Sequence, residues 1–170
     1  FAVGPFVTIP YPEDFRARLK SILGRPARDS DGDVVRNLTL YHAEAVRRLL
    51  RKGKRGINDI DVLGFHGQTV FHDPANGITS QIGNAPLLAS ETGIDVVTDF
   101  RSRDVAAGGE GAPLAPVYHV AMTQTLDRPL VILNIGGVAN VTWISPDGAS
   151  IAFDTGPGNA LIDDWVSQTA

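Results

Sequence analysis

The chain has 170 residues, of which 43% are hydrophobic and 20% are charged, and its formal net charge at pH 7 is −4. This acidic balance excludes bulk attraction to nucleic acid or anionic membranes, and the absence of cysteine excludes disulfide frameworks and thiolate metal sites. No apolar run reaches the ~20 residues of a membrane span and no signal peptide is visible, so we expect a cytoplasmic protein with the core of one domain or one lobe.

The two ends of the sequence predict an internal segment of a longer protein. The chain begins at Phe1 rather than at a methionine, and it stops at Ala170 within a stretch that is predicted to be helical. A break there would leave several apolar side chains of that helix without the partners that a whole domain provides. These side chains are Leu161, Ile162, Trp165 and Val166.

The first 60 residues predict two helices after an extended entry. Pro12 and the two acidic residues after it suit a first helical turn, and Gly24 ends that helix. Asp33 can cap a longer helix that runs to about Lys52, with apolar residues at intervals of three or four. The apolar stripe consists of Val34, Leu38, Tyr41, Ala45 and Leu49.

From residue 61 onward, short apolar runs alternate with glycine turns and helix starts. The runs that predict strands are 62–65, 79–82, 94–99, 130–134, 138–143 and 151–153. Helices are predicted at 84–93, at 115–126 and from about 159 to the end. The mixture of strands, helices and local hairpins predicts an α/β fold with mixed sheets and flanking helices. We expect residues 1–60 to form a helical and extended part and residues 61–170 to carry the functional loops.

The segment His66-Gly67-Gln68-Thr69 directly follows a predicted strand, where side chains often line the clefts of α/β proteins. His66 can donate to a sugar hydroxyl, and Gln68 and Thr69 can bind an amide or a hydroxyl. A strand-to-turn junction whose histidine binds the main chain explains the segment equally well. His72 precedes a turn and is interpreted as structural, and the spacing of the two histidines does not match a zinc motif.

Asp99 ends a predicted strand, and an ionised carboxylate there can take a proton from water or from a hydroxyl. Arg101 can keep that carboxylate ionised or stabilise phosphoryl charge. The alternative is an ion pair between aspartate and arginine that pins the loop, and we favour it for Arg103 with Asp104. Asp99 and Asp104 can also be interpreted as the carboxylate pair of a glycosidase.

Three glycine loops can bring main-chain N–H groups close to an anion. They are Gly108–Gly111, Asn134–Gly137 and Asp154–Asn159. The first can equally be a hinge, and the second an ordinary Gly-Gly hairpin. The third lies between a predicted strand and a helix, where Asp154 would repel an anion unless a cation bridges the two. The sequence contains neither a Walker A motif nor a dinucleotide fingerprint.

Five stretches of the chain, taken together, match the pattern of one enzyme family. They are GFHGQTVFHDP (64–74), QIGN (81–84), DVVTDFRSRDVAAGGEGAPLAP (95–116), NIGGVANVT (134–142) and FDTGPGNALIDDW (153–165). With them the chain resembles the anhydro-N-acetylmuramic acid kinases of bacterial cell-wall recycling. The resemblance covers most of residues 60–170 and implies a two-lobed fold of the actin, hexokinase and Hsp70-like superfamily around a nucleotide cleft.

The resemblance also implies a reaction with Mg-ATP. Water opens the 1,6-anhydro ring of the amino sugar while the 6-oxygen takes the γ-phosphoryl group, which gives N-acetylmuramic acid 6-phosphate. The implied base is Asp99, and the implied substrate-binding residues are His66, Gln68, Thr69 and Arg101. The implied phosphate-binding or nucleotide-binding residues are Asn134, Gly136, Gly137, Asp154, Gly156 and Gly158. The metal ligands stay unknown, and the loop with Asp154 can serve the shape of the cleft, the phosphates or a metal. The expected partners are the sugar and ATP, without nucleic acid or membrane, and a homodimer is left open.

Two departures from the family pattern affect the expected activity. Glu110 stands where the family usually has glutamine, and a carboxylate cannot donate a hydrogen bond as an amide does. The family's first phosphate loop, of the Gly-Thr-Ser-x-Asp-Gly type, and the part that completes the adenosine site are not in this sequence. We therefore expect little or no turnover from this chain alone. A hydrolase that works without ATP and a non-catalytic sugar-binding module stay open as alternatives, and ATP dependence separates the kinase from the hydrolase.

Overall fold

The computed structural model describes residues 4–169, and they divide after Gly111 into two units. We call the residues up to Gly111 the N-terminal unit and those from Ala112 onward the C-terminal unit. The division at residue 60 that the sequence predicts concerns functional roles, and it stays a prediction. Among residues 4–169, none of the helices has the length and apolar character that crossing a bilayer requires.

Among residues 4–111, the N-terminal unit contains four α-helices and four strands. They are α1 (Glu13–Lys20), α2 (Gly32–Gly53), β1 (Leu63–Phe65), β2 (Gln68–Asp73), β3 (Ile78–Ile82), α3 (Ala85–Thr92), β4 (Val96–Thr98) and α4 (Ser102–Ala106). Strands β1 and β4 are parallel, and β2 and β3 form an antiparallel hairpin. The chain thus leaves β1, makes the hairpin and α3, and returns beside β1.

Helices α1, α2 and α3 begin close to the predicted positions. Pro12 precedes α1, which ends at Lys20 and is followed by a turn up to Gly24. Asn84 caps α3, because its side-chain oxygen accepts the Leu87 N–H at 2.9 Å. The short helix α4 is not predicted, since five residues are too few to show a helical period.

The interior of the N-terminal unit joins the helices to the hairpin. One cluster of buried side chains comprises Phe15, Leu19, Ile22, Val34, Leu38, Val70 and Ile82. A second comprises Ala43, Phe65 and Leu88. The predicted apolar stripe of α2 supplies members of the first cluster. Helices α1 and α2 therefore pack against the apolar side chains of the hairpin.

The loop expected after His66 is wrong, because residues 68–73 form strand β2. Residues 68–73 pair with β3, with Thr69 opposite Gln81 and His72 opposite Thr79, and a bulge lies between Thr69 and Phe71. The run Thr69-Val70-Phe71 has high strand propensity, which outweighs the polar residues around it. Gly77, in the left-handed region at φ 70°, completes the turn into β3.

Among residues 112–169, the C-terminal unit consists of one three-stranded sheet and two helices. The elements are α5 (Ala115–Met122), β5 (Leu130–Ile135), β6 (Val138–Ile144), β7 (Ser150–Pro157) and α6 (Ala160–Thr169). The sheet is antiparallel in the order β5-β6-β7, and the predicted hairpin through Gly136 and Gly137 is confirmed. Helix α5 ends at Met122, four residues before the predicted end, and a turn follows it.

The two faces of this sheet differ in burial. On one face, Thr142 and Ile144 are buried, and the Thr142 hydroxyl lies 2.8 Å from Nδ1 of His119 in α5. On the other face, Val131 lies opposite Trp143. Leu133 lies opposite Val141, which lies opposite Phe153. That second face is apolar and exposed.

The last glycine loop is shorter than predicted, because residues 154–157 extend strand β7. Gly156 pairs with Ala139 and Pro157 with Val138, and a bulge separates these pairs from the pair of Asp154 with Asn140. A proline is tolerated at the end of an edge strand, and glycine is common beside a bulge. The predicted α/β fold is confirmed, with the strands of the described chain distributed over three small sheets.

Candidate active site

The parallel pair of strands β1 and β4 brings two predicted site residues to one edge. Phe65 is in register with Thr98, so that His66 and Asp99 directly follow their strands at the same end. A cavity of about 300 Å³ opens there. Its lining includes His66, Ser80, Gln81, Thr98, Asp99 and Ser102. The carboxyl ends of parallel strands are where α/β proteins commonly bind ligands.

Asp99 has an unusual backbone and a free carboxylate. Its φ of 58° lies in the left-handed region, which is uncommon for a residue other than glycine and often marks a functional position. The side chain is exposed to the cavity, and it has no ion pair or hydrogen bond with any residue between 4 and 169. A carboxylate in this state can accept a proton from a bound water.

Arg101 contacts His66 rather than Asp99. Its Nε–H donates to Nε2 of His66 at 3.0 Å, and a guanidinium nitrogen can only donate. The ring proton of His66 is therefore on Nδ1, which donates to the main-chain oxygen of Gly67 at 3.0 Å. In this geometry His66 has no N–H left for a sugar hydroxyl, whereas the terminal nitrogens of Arg101 have no partner within the described chain.

A row of polar side chains crosses the β2–β3 hairpin beside the cavity. The amide nitrogen of Gln81 donates to the hydroxyls of Thr79 at 2.8 Å and of Thr69 at 3.3 Å. Nδ1 of His72 lies 3.1 Å from the Thr79 hydroxyl, which agrees with its interpretation as structural. Gln68 donates to the main-chain oxygen of Thr69 at 3.0 Å. Gln81 was not predicted as a site residue, although three consecutive polar residues at 79–81 within β3 could have indicated it.

Two glycines allow the hairpin to pack tightly beside the cavity. A Cβ at Gly67 would overlap the main-chain oxygen of Ile82. A Cβ at Gly83 would lie 2.6 Å from the ring of Phe65. Both glycines also have positive φ. The cavity wall therefore depends on glycine at these two positions.

Asp104 does not form the expected ion pair. Within the described residues no ion pair joins it to Arg103, and its carboxylate instead accepts the Gly111 N–H at 2.7 Å. A main-chain donor at this distance satisfies the carboxylate without an arginine. The side chain is thus turned toward the first glycine loop, which weakens the interpretation of Asp99 and Asp104 as a glycosidase pair.

In the C-terminal unit, the turn between β5 and β6 packs against the start of α6. The N–H groups of Gly158 and Asn159 donate to the carbonyls of Gly137 and Gly136, both at 2.8 Å. A Cβ at Gly158 would overlap the Gly136 carbonyl oxygen. At Gly136 and Gly137, by contrast, a Cβ would meet only ordinary contacts, at 3.5 and 3.6 Å. Packing within the chain therefore explains why residue 158 is glycine, but it does not explain glycine at positions 136 and 137.

Strand register aligns three polar residues near this turn. Asn134, Asn140 and Asp154 lie opposite one another on β5, β6 and β7, and cross-strand partners share a face of the sheet. None of the three side chains has a hydrogen-bond partner among residues 4–169. Asn140 was not predicted as a site residue, because only the strand register shows that it lies between the other two. No group of three or more potential metal ligands of the His, Cys, Asp or Glu type occurs in the described part.

Comparison with known proteins gives consistent matches. A family model described as anhydro-N-acetylmuramic acid kinase matches residues 5–170. The chain belongs to this family. Curated relatives of that name include one from Paramagnetospirillum magneticum, 55% identical over 96% of this chain and 45% of its own length. Another, from Rhodospirillum rubrum, is 51% identical over 99% of this chain and 45% of its own length.

Family membership confirms the resemblance that the sequence motifs indicated. The anhydro-N-acetylmuramic acid kinase family has the actin/hexokinase-like sugar kinase fold, as expected. A third relative, from Gluconobacter oxydans, is 49% identical over 98% of this chain and 48% of its own length. The chain spans about half the length of the curated relatives it matches.

Proposed function

We propose that the full-length protein containing this chain is an ATP-dependent kinase in peptidoglycan recycling. It converts 1,6-anhydro-N-acetylmuramic acid, water and ATP into N-acetylmuramic acid 6-phosphate and ADP. The observation that carries the proposal is the free carboxylate of Asp99, at the end of β4 and facing a cavity of about 300 Å³, in a chain of this kinase family. The left-handed backbone of Asp99 further supports a functional role at this position.

Asp99 acts as the general base in this proposal. It takes one proton from a water molecule, whose oxygen forms a bond to the anomeric carbon of the sugar. The bond between that carbon and the 6-oxygen breaks, and the 6-oxygen accepts the γ-phosphoryl group of ATP. A base in this position must be unpaired before the sugar binds, and the absence of a partner within the described residues supports that requirement.

The sugar-side residues bind and orient the substrate. Arg101 offers its terminal guanidinium nitrogens, while its Nε holds the ring of His66. Gln68 and Thr69 belong to the hairpin that forms one wall, and Gln81 joins them through the Thr69 hydroxyl. A wall of hydroxyls and amides suits an amino sugar, which presents both kinds of group.

The C-terminal unit binds the phosphates of ATP through main-chain groups. Gly136 and Gly137 have room for a Cβ within the chain, so that glycine there is best explained by the close approach of a ligand. Gly156 and Gly158 belong to the segment that leads into α6. The oxygens of Asn134, Asn140 and Asp154 are of the kind that Mg²⁺ prefers, and we infer that they hold it. The ion, when bound, neutralises the charge that develops on the transferred phosphoryl group.

Three other predictions accompany this function. We expect a cytoplasmic location, because ATP is the phosphoryl donor. We also expect the sugar and ATP as partners, without nucleic acid or membrane. A homodimer stays open. We also expect the 170-residue chain alone to give little or no turnover.

The test is the mass of the product. The full-length protein is incubated with Mg-ATP and the anhydro-sugar, and the sugar is analysed by mass spectrometry. A gain of one phosphoryl group and one water is expected. A gain of water alone, or the same product without ATP, would instead identify a hydrolase. An unchanged sugar, with binding still measurable by calorimetry, would favour a non-catalytic binding module.

A further inference from the structure

The side chain of Asp104 holds the segment Gly108–Gly111, which we call the glycine loop. Oδ2 of Asp104 accepts the Gly111 N–H at 2.7 Å, and the main-chain oxygen of Asp104 accepts the Gly109 N–H at 2.9 Å. A hydrogen bond to a carboxylate is roughly twice as strong as one between neutral groups. One residue of α4 therefore fixes the loop on both sides of Glu110.

Glycine at positions 109 and 111 allows the loop to lie this close to α4. A Cβ at Gly109 would overlap the carboxylate of Asp104, with its Cγ only 2.6 Å away. A Cβ at Gly111, which is buried, would lie 2.6 Å from a methyl group of Val105 and 3.4 Å from Cβ of Arg101. These glycines allow close packing of the loop against α4, which explains glycine at both positions.

Arg101 connects the glycine loop to the cavity. Its Cβ and main-chain oxygen lie beside Gly111, and its Nε–H donates to His66 in the cavity lining. A shift of the loop would therefore remove a neighbour that limits where the Arg101 side chain can lie. Arg101 therefore links the glycine loop to a side chain of the cavity lining.

We propose that Asp104 is a positioning residue for substrate binding. It holds the glycine loop against Arg101, and the loop in turn orients the guanidinium toward the sugar. The proposal rests on the proposed function, because it assigns Arg101 to the sugar. Loss of the Asp104 carboxylate should weaken sugar binding while the proton transfer at Asp99 proceeds at nearly the same rate.

The test uses four variants of the full-length protein. Asp104→Ala is expected to raise the KM for the sugar about tenfold while kcat changes less than about twofold, since a hydrogen bond to a charged group is lost. Gly109→Ala should have the same effect, because the new methyl group displaces the carboxylate from Gly111. The double variant should be no worse than either single one, because the methyl group then occupies vacated space. Asp104→Asn keeps an acceptor and should stay within about threefold of the wild-type KM.

Two variants serve as matched controls. Asp61→Ala removes an exposed carboxylate that has no side-chain partner within the described chain. Gly32→Ala adds a methyl group where nothing lies within 4 Å of the new Cβ. Both should keep the wild-type KM. Additive losses in the Asp104 and Gly109 double variant would contradict the proposal, because they would mean that the two residues act separately.

Amide hydrogen exchange at Gly111 provides a readout that does not depend on activity. Its protection should be lost in Asp104→Ala and Gly109→Ala and retained in Asp104→Asn. Equal exchange in the wild type and Asp104→Ala would overturn the proposal, and so would lost protection with an unchanged KM. If the protein does not phosphorylate the sugar, the proposed function fails. The sugar affinity measured by calorimetry then tests the positioning role of Asp104 independently. A weaker affinity in Asp104→Ala supports the positioning role, and an unchanged affinity overturns it.

Discussion

The N-terminal and C-terminal units differ in where their apolar side chains lie. In the N-terminal unit, Leu38 is fully buried and belongs to a cluster that also supports the hairpin beside the cavity. In the C-terminal unit, Ile144 is the one hydrophobic side chain of the described residues that is buried. Leu133 and Trp165 are exposed by 58% and 69%. Buried apolar side chains thus stabilise the N-terminal unit, whereas main-chain hydrogen bonds between strands are the main stabilising contacts of the C-terminal unit.

The same difference applies to the two candidate sites. The cavity around Asp99 offers side chains whose positions depend on packed strands beneath them. The turn at Gly136 and Gly137 offers main-chain groups, and its shape depends on hydrogen bonds from Gly158 and Asn159. We therefore expect substitutions to alter chemistry in the first unit and the geometry of a main-chain turn in the second.

The largest effect is expected for Asp99→Asn in the full-length protein. The amide cannot take the proton of the attacking water, and the loss of an essential base lowers kcat by about 10²–10⁴-fold. Sugar binding, measured by calorimetry, should change little, because Asp99 has no partner within the described residues that the substitution would release. A variant with wild-type kcat would show that another group is the base.

The second largest effect is the loss of stability when a leucine is truncated in the N-terminal unit, compared with the same change in the C-terminal unit. Leu38→Ala removes a fully buried side chain and should lower the free energy of unfolding by about 2–5 kcal/mol. Leu133→Ala removes the same atoms from an exposed position and should cost less than about 1 kcal/mol. Urea denaturation of both variants of this chain measures the difference. Equal losses would mean that the exposed face of the sheet is covered in solution.

The third effect separates packing from ligand binding at the C-terminal turn. Gly158→Ala places a methyl group against the Gly136 carbonyl and should lower the free energy of unfolding by about 1–3 kcal/mol. Gly137→Ala meets only ordinary contacts in the chain, so its stability should stay near that of the wild type. In the full-length protein we expect both variants to raise the KM for ATP. If Gly137→Ala leaves that KM unchanged, the turn does not bind phosphate.

The sequence predicts those parts of the fold that depend on neighbouring residues. The cap at Asn84, the apolar stripe of α2 and the glycine hairpin at 136–137 are local patterns, and the structure has all three. Strand β2 was missed because polar residues flank its short run of strand-forming residues, and its pairing with β3 cannot be seen in the sequence. Asp99 could be singled out because it ends a strand, which is also a local feature.

The contacts that organise the two sites could not be predicted in this way. The bond of Arg101 to His66 joins residues 35 positions apart, and it depends on the parallel pairing of β1 with β4. The alignment of Asn140 with Asp154 depends on a bulge whose position the sequence does not reveal. Asp104 was expected to bind the arginine next to it, but the close approach of Gly109 and Gly111 gives it a main-chain partner instead.

The smallest effect concerns an ion pair that closes the loop between α1 and α2 in the N-terminal unit. The two terminal guanidinium nitrogens of Arg25 donate to Asp31 at 2.8 Å, and the main-chain N–H of Arg28 donates to it at 2.8 Å. These donors lower the pKa of Asp31 from 3.8 to about 2, with the Arg25 hydrogen bonds as the main cause. Above pH ~5 the carboxylate is ionised in both states and its stabilisation is fully present.

As the pH falls from about 4 to 2, the unfolded chain binds the proton first, and the stabilisation by Asp31 is progressively lost. The free energy of unfolding of the wild type should therefore fall more steeply over this range than that of Asp31→Asn, as measured by urea denaturation of this chain at each pH. Asp29→Asn is the matched control, because Asp29 is exposed and makes no ion pair within the described residues. Parallel curves for the wild type and Asp31→Asn would show that the ion pair contributes nothing to folding. A steeper wild-type curve would place part of the stability of the N-terminal unit in this loop, outside its apolar interior.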